Sequence, residues 1–86
     1  MKLKYDIAIQ EVADKFMAVA KNAETEEVAK VLNLKETGAI ILRALQDGAD
    51  NPAIVSQLLA EYDVSPQDAE AEVNNFIDML KENGIA

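Results

Sequence analysis

Residues 34–86 contain three helix starts and stops, and these constrain the fold more than any other feature of the chain. A first helix begins near Glu36 and runs to Gln46, with Ile40, Ile41, Ala44 and Leu45 on one stripe. Asp47-Gly48 ends it, because glycine adopts the left-handed C′ conformation at little cost. Asp50 or Asn51 caps a second helix, and Pro52 fits its first turn, where the missing N–H is harmless. Ile54, Val55, Leu58 and Leu59 then repeat at helical spacing. Ser65 caps a third helix, with Pro66 at N1 and Asp68 at N3. Ala69, Val73, Phe76, Ile77 and Leu80 form its apolar stripe, Gly84 suits its C′ position, and Ile85 can pack back on it.

The first third of the chain reads as strands. Tyr5-Asp6-Ile7-Ala8-Ile9-Gln10 alternates weakly at period two, and Lys15 to Ala20 is a short apolar run bounded by charge. Val12-Ala13-Asp14 suits a hairpin connection, although no Asn-Gly or Asp-Gly pair fixes the turn type. Residues 23–27 are a polar connection. In a third strand, Val28, Lys30, Leu32 and Leu34 would share one face, and Ala29, Val31 and Asn33 the other. The rival reading is a helix over 7–20, since Ala, Glu, Met and Lys all favour helices. The expected fold is therefore α+β: a three-stranded antiparallel sheet followed by three α-helices, winged-helix-like, in a single domain spanning residues 1–86. Strand three would lie on an edge, and an exposed edge is a liability unless it is used.

Composition removes several classes of function. The chain has 86 residues, with no cysteine and no histidine. Disulfides, thiolate chemistry and histidine-based acid–base chemistry or metal ligation are excluded. Ser56 and Ser65 have no histidine to activate them, and Ser65 is explained as a cap. The three glycines are scattered, so there is no phosphate-cradling loop. No apolar run is long enough to span a bilayer, and no signal-peptide core is present, so a cytoplasmic protein without membrane contact is expected. The net charge is −8. Residues 1–22 carry +1, whereas residues 23–86 carry thirteen acids against Lys30, Lys35, Arg43 and Lys81. A solvated surface accounts for such acidity; attraction to a basic partner is the functional alternative. A winged-helix DNA-binding regulator would share the architecture. Its recognition helix would need basic side chains, yet the third helix has one lysine against Asp68, Glu70, Glu72, Asp78 and Glu82. An acyl carrier protein would need an Asp-Ser-Leu site, which is absent. A generic protein-interaction domain remains as the other alternative.

Leu34-Lys35-Glu36-Thr37-Gly38-Ala39, the glycine turn at 48, Glu61-Tyr62-Asp63-Val64 and the long last helix follow one another in an order that resembles the PqqD family, also called RiPP recognition elements. Lys35 stands where that family usually has Asn, and Leu42 where Trp is common. Losing Asn leaves Asn33 or Thr37 to cap the first helix, or leaves its start frayed. The resemblance implies a non-catalytic chaperone, with no cofactor of its own. It would bind the leader of a ribosomally synthesised precursor peptide and present it to a modifying enzyme, commonly a radical SAM maturase, as in pyrroloquinoline quinone biosynthesis. The leader would add to the edge of the third strand and lie against the third helix. Carried onto this sequence, the binding residues are Val28, Ala29, Lys30, Val31, Leu32 and Asn33 on the strand. On the helix they are Val73, Asn74, Phe76, Ile77, Leu80 and Lys81. An apolar stripe at that spacing is also what a plain core presents. An open edge can also pair with a second copy, so a homodimer is among the expected partners; nucleic acid is not.

Overall fold

The computed structural model describes residues 3–86. Strands β1 (Asp6–Val12), β2 (Lys15–Lys21) and β3 (Val28–Leu34) precede helices α1 (Glu36–Gln46), α2 (Asn51–Glu61) and α3 (Pro66–Glu82). The sheet is antiparallel in the order β1-β2-β3, so both β1 and β3 are edges. The helical alternative for residues 7–20 is not adopted; β1 and β2 pair along their full length instead.

β1 runs two residues further than its alternation suggests, to Val12, which pairs with Lys15 across the two-residue turn Ala13-Asp14. Ala13 has φ 56°, the left-handed geometry that such tight hairpin turns demand and that glycine usually supplies. The end of β1 is exposed, so no apolar period marks it in the sequence. The β2–β3 connection is built on Asn22, whose side chain accepts from the N–H groups of Glu24 and Thr25.

One face of the sheet carries the helices. Ala18 and Ala20 on the central strand are almost fully buried, and their small size lets α1 approach closely. Ile7, Ile9, Leu32 and Leu34 on the outer strands flank them and close the core. Ile41, Leu42, Ile54, Leu58, Val73, Leu80 and Ile85 fill the rest, each no more than 2% exposed. Leu42, where the family commonly has Trp, is 0% exposed within this core.

The helix boundaries follow their caps. Asp50 accepts from Ala53 N–H and Ser65 from Asp68 N–H. Both α1 and α3 end in Schellman motifs. Gly48 N–H donates to Leu45 O and Ala49 N–H to Ala44 O; Gly84 N–H donates to Lys81 O and Ile85 N–H to Leu80 O. Lys35 occupies the N-cap position of α1 with no side-chain cap, and neither Asn33 nor Thr37 takes that role.

β3 also departs from simple alternation. Lys30 pairs with Ala20, yet Val28 pairs with Lys21, so Ala29 is an extra, bulged residue. Lys30, Leu32 and Leu34 face the helices as expected. Val28 lies beyond the bulge, out of step with them, and is 56% exposed.

Candidate functional site: the β3 edge and the groove beside α3

The direction of each backbone group on β3 follows from the hairpin. A two-residue turn is closed by a hydrogen bond between its flanking residues, which makes Val12/Lys15 a hydrogen-bonded pair. Bonded and non-bonded pairs alternate along an antiparallel ladder. Gln10/Met17 and Ala8/Val19 are then bonded, and on β2 the groups of Phe16, Ala18 and Ala20 turn toward β3. Their partners Leu34, Leu32 and Lys30 are thus engaged, which leaves the N–H and C=O groups of Val31 and Asn33 on the open edge.

The two edges are not equivalent. By the same alternation Ile7 O points out of the β1 edge, and there Gln46 Nε2 of α1 donates to it. A helix side chain thus occupies part of the β1 edge. The open side of β3 instead borders a groove.

That groove, about 230 Å³, lies between the end of β3, the first turn of α1 and one face of α3. Leu34, Gly38, Phe76 and Met79 give it an apolar floor, and Asn33, Glu72 and Asn75 a polar rim. Glu72, Phe76 and Met79 recur at the i, i+4, i+7 spacing of one helix face. Gly38 lets Phe76 pack close to α1: a Cβ there would sit 3.0 Å from Phe76 Cε1, and the ring would have to shift. At the far end of β3, Lys30 Nζ donates to Asn83 O, which ties the strand to the C-terminus of α3 and complements its helix dipole.

The expected binding residues separate into distinct environments. Val31 and Asn33 lie on the open edge, Leu32 and Lys30 face inward, Ala29 is the bulge and Val28 is exposed beyond it. Phe76 lines the groove. Val73, Ile77 and Leu80 point into the core, at 0%, 9% and 0% exposure. Asn74 borders a different hollow, against Pro52 and Val55 of α2. Lys81 is exposed about half a helical turn away from the Glu72–Phe76–Met79 face. Leu34 ends the strand expected to take the leader; the groove residues not anticipated are Lys35, Thr37, Gly38, Glu72, Asn75 and Met79.

Two sequence segments meet at the margin of the groove. Tyr62, the C-cap of α2, donates its hydroxyl to Glu36 at the start of α1. The bond to the Glu36 carboxylate, partial burial, and the charges of Glu36 and Glu61 push the Tyr62 phenol up to about 12. Its contribution to stability is intact below the ordinary tyrosine value near 10 and is lost as pH rises from there through about 12. In a spectrophotometric phenol titration, Tyr62→Phe should remove a transition near 12, and Glu36→Gln should lower it toward 10. A Tyr62 transition unaffected by Glu36→Gln would show that the bond does not form.

A small domain with one strand edge left open beside an apolar groove has the architecture of a peptide-capturing module. Residues 18–86 match the PqqD family, described as coenzyme PQQ synthesis protein D, and the chain belongs to that family. No curated protein matches it. Among solved structures, it is similar to a lasso peptide synthetase B1 complexed with the leader peptide. That match has 26% identity and a TM-score of 0.73, and covers 98% of this chain and 93% of the other. It also shares the fold of TbiB1 in complex with the TbiA(beta) leader peptide, at 21% identity and a TM-score of 0.75 over 99% and 93% of the two chains.

Proposed function

We propose that this protein binds the leader segment of a ribosomally made precursor peptide at the β3 edge and presents the remainder to a modifying enzyme. It acts as a chaperone and not as a catalyst. The observation that carries this reading is the pair of open backbone positions, Val31 and Asn33, next to the groove floored by Leu34, Gly38, Phe76 and Met79. Membership of the PqqD family and the leader-bound similar structures support it.

An antiparallel leader would pair with Val31 and Asn33 through roughly four backbone bonds, each about 0.5–1.5 kcal/mol net. Its residues opposite Leu32 and Leu34 would project toward the helices, and burying one or two apolar side chains adds about 1.5–3 kcal/mol each. Ordering the peptide opposes this by several kcal/mol, which leaves an affinity near micromolar, about −8 kcal/mol. The chemistry then belongs to the partner enzyme, in this family commonly a radical SAM maturase. A cytoplasmic setting suits that partnership. A DNA-binding role is disfavoured by the acidic α3, whose only basic residue is Lys81.

The test uses candidate precursor peptides, each cut into leader and core halves and titrated by fluorescence anisotropy. The leader half should retain the affinity of the whole. Binding carried by the core half alone, or salt-sensitive binding of a DNA duplex in its place, would overturn the proposal.

Gly38→Ala probes the groove separately from the edge. Alanine favours the helix by about 1 kcal/mol, which offsets the cost of displacing Phe76. Thermal denaturation should therefore show little change. Leader affinity should fall by roughly three- to tenfold as Phe76 moves into the groove. Unchanged affinity would mean that the leader does not use the groove floor.

A further inference from the structure

Past the N-terminus of α1 the groove does not end. Thr37, Glu72 and Asn75 are shared with a second hollow of about 370 Å³ between the end of α2, the α2–α3 connection and the first turns of α3. Its floor is apolar: Leu58, Tyr62, Val64 and Ala69. Val64 is 42% exposed, a large apolar side chain left uncovered. Its rim carries Asp68 and Glu72, four residues apart on α3 and both exposed. Among the described residues, no basic side chain lines it. The wider surroundings have the same sign, since residues 44–80 contain eight acids and no lysine or arginine.

We propose that this second hollow is a specificity pocket for an arginine of the bound peptide, placed on the flank that runs beyond Leu34. The inference rests on the leader-binding reading and names part of the leader's chemistry. An arginine suits the pocket in both of its parts. The aliphatic stem covers Leu58 and Val64, and the head remains at the solvent edge. The guanidinium fork meets the carboxylates of Asp68 and Glu72, which lie one helical turn apart. Lysine would provide the charge but not the fork. An acidic or purely apolar residue would leave the rim unneutralised. Continuity with the first groove makes the peptide itself the occupant, because a chain paired along β3 is directed past Leu34 toward Thr37 and Glu72.

The test is selection of phage-displayed random peptides, long enough to span both grooves, on the intact immobilised protein and on its Asp68→Asn variant, since Asp68 lines the second hollow alone. Folding of the variant is checked by circular dichroism. On the native protein, recovered peptides should share an alternating apolar segment with arginine enriched at a fixed offset on one flank. On the variant, the apolar segment should persist and the arginine enrichment should fall sharply. A selected arginine peptide should bind the variant roughly three- to tenfold more weakly, and its Arg→Gln form should bind both proteins alike. Apolar segments recovered without a basic flank, or with a flank indifferent to the variant, would overturn the arginine pocket and leave the leader reading intact. Failure to recover any strand-forming segment would remove both. A dimer of this chain that dissociates in the variant during sedimentation would assign the pocket to a second copy instead.

Discussion

Replacing Val31 with proline should weaken leader binding by roughly five- to 150-fold while the domain stays folded. The Val31 N–H lies on the open edge of β3, so its loss breaks no bond within the sheet. Proline is tolerated at such edge positions. A bound leader, however, would bury a carbonyl with no donor opposite it. Leaving a buried acceptor unpaired costs about 1–3 kcal/mol, and each 1.4 kcal/mol is tenfold in affinity. Leu32→Pro provides the contrast. Leu32 pairs with Ala18 and is engaged in the ladder, so proline there removes an internal bond and should destabilise the fold by about 3 kcal/mol or more. Circular dichroism and calorimetric titration of the two variants separate these outcomes. Equal loss of fold in both would mean that the inferred direction of the β3 backbone groups is reversed.

Leu42→Ala should strongly destabilise the fold. Leu42 is 0% exposed at the centre of the core, among Ile41, Leu45, Ile54 and Leu80. Truncating a buried leucine removes its transfer energy and leaves a cavity, which costs about 2–5 kcal/mol. For a domain of this size total stability is about 4–13 kcal/mol, so much of it would be lost. The melting temperature should fall by roughly 10–30 °C. Leu42→Met conserves volume and should cost less than about 1.5 kcal/mol. Urea denaturation gives both values. A Leu42→Ala cost below about 1 kcal/mol would indicate a core that collapses around the gap.

The helices were legible in the sequence because their ends are encoded by single residues. Gly48, Asp50, Ser65 and Gly84 each perform the capping role their type suggests. The strand segments were legible as apolar runs, and the chain order placed β3 on an edge. The bulge at Ala29 was not, because it inserts one residue into a run of otherwise similar side chains. The groove wall was hidden for a related reason. Hydrophobic periodicity marks the face of α3 that is fully buried, namely Val73, Ile77 and Leu80. The neighbouring face mixes Glu72, Asn75, Phe76 and Met79, since it lines an open groove and is only half covered. Phe76 was expected there because its apolar character extends the core stripe. Glu36, Gly38 and Tyr62 were visible only as parts of family segments. Their contacts give the physical reason: Glu36 holds Tyr62, and Gly38 makes room for Phe76.

The central claim is that a leader peptide joins β3 and rests against α3. Amide chemical-shift mapping of the labelled protein during titration with its leader tests it most directly. The expected result is a set of shifts confined to β3, chiefly Val31 to Leu34, together with residues 36–38 and the Glu72–Met79 face of α3. Shifts centred on residues 47–55, with none in β3, would contradict it.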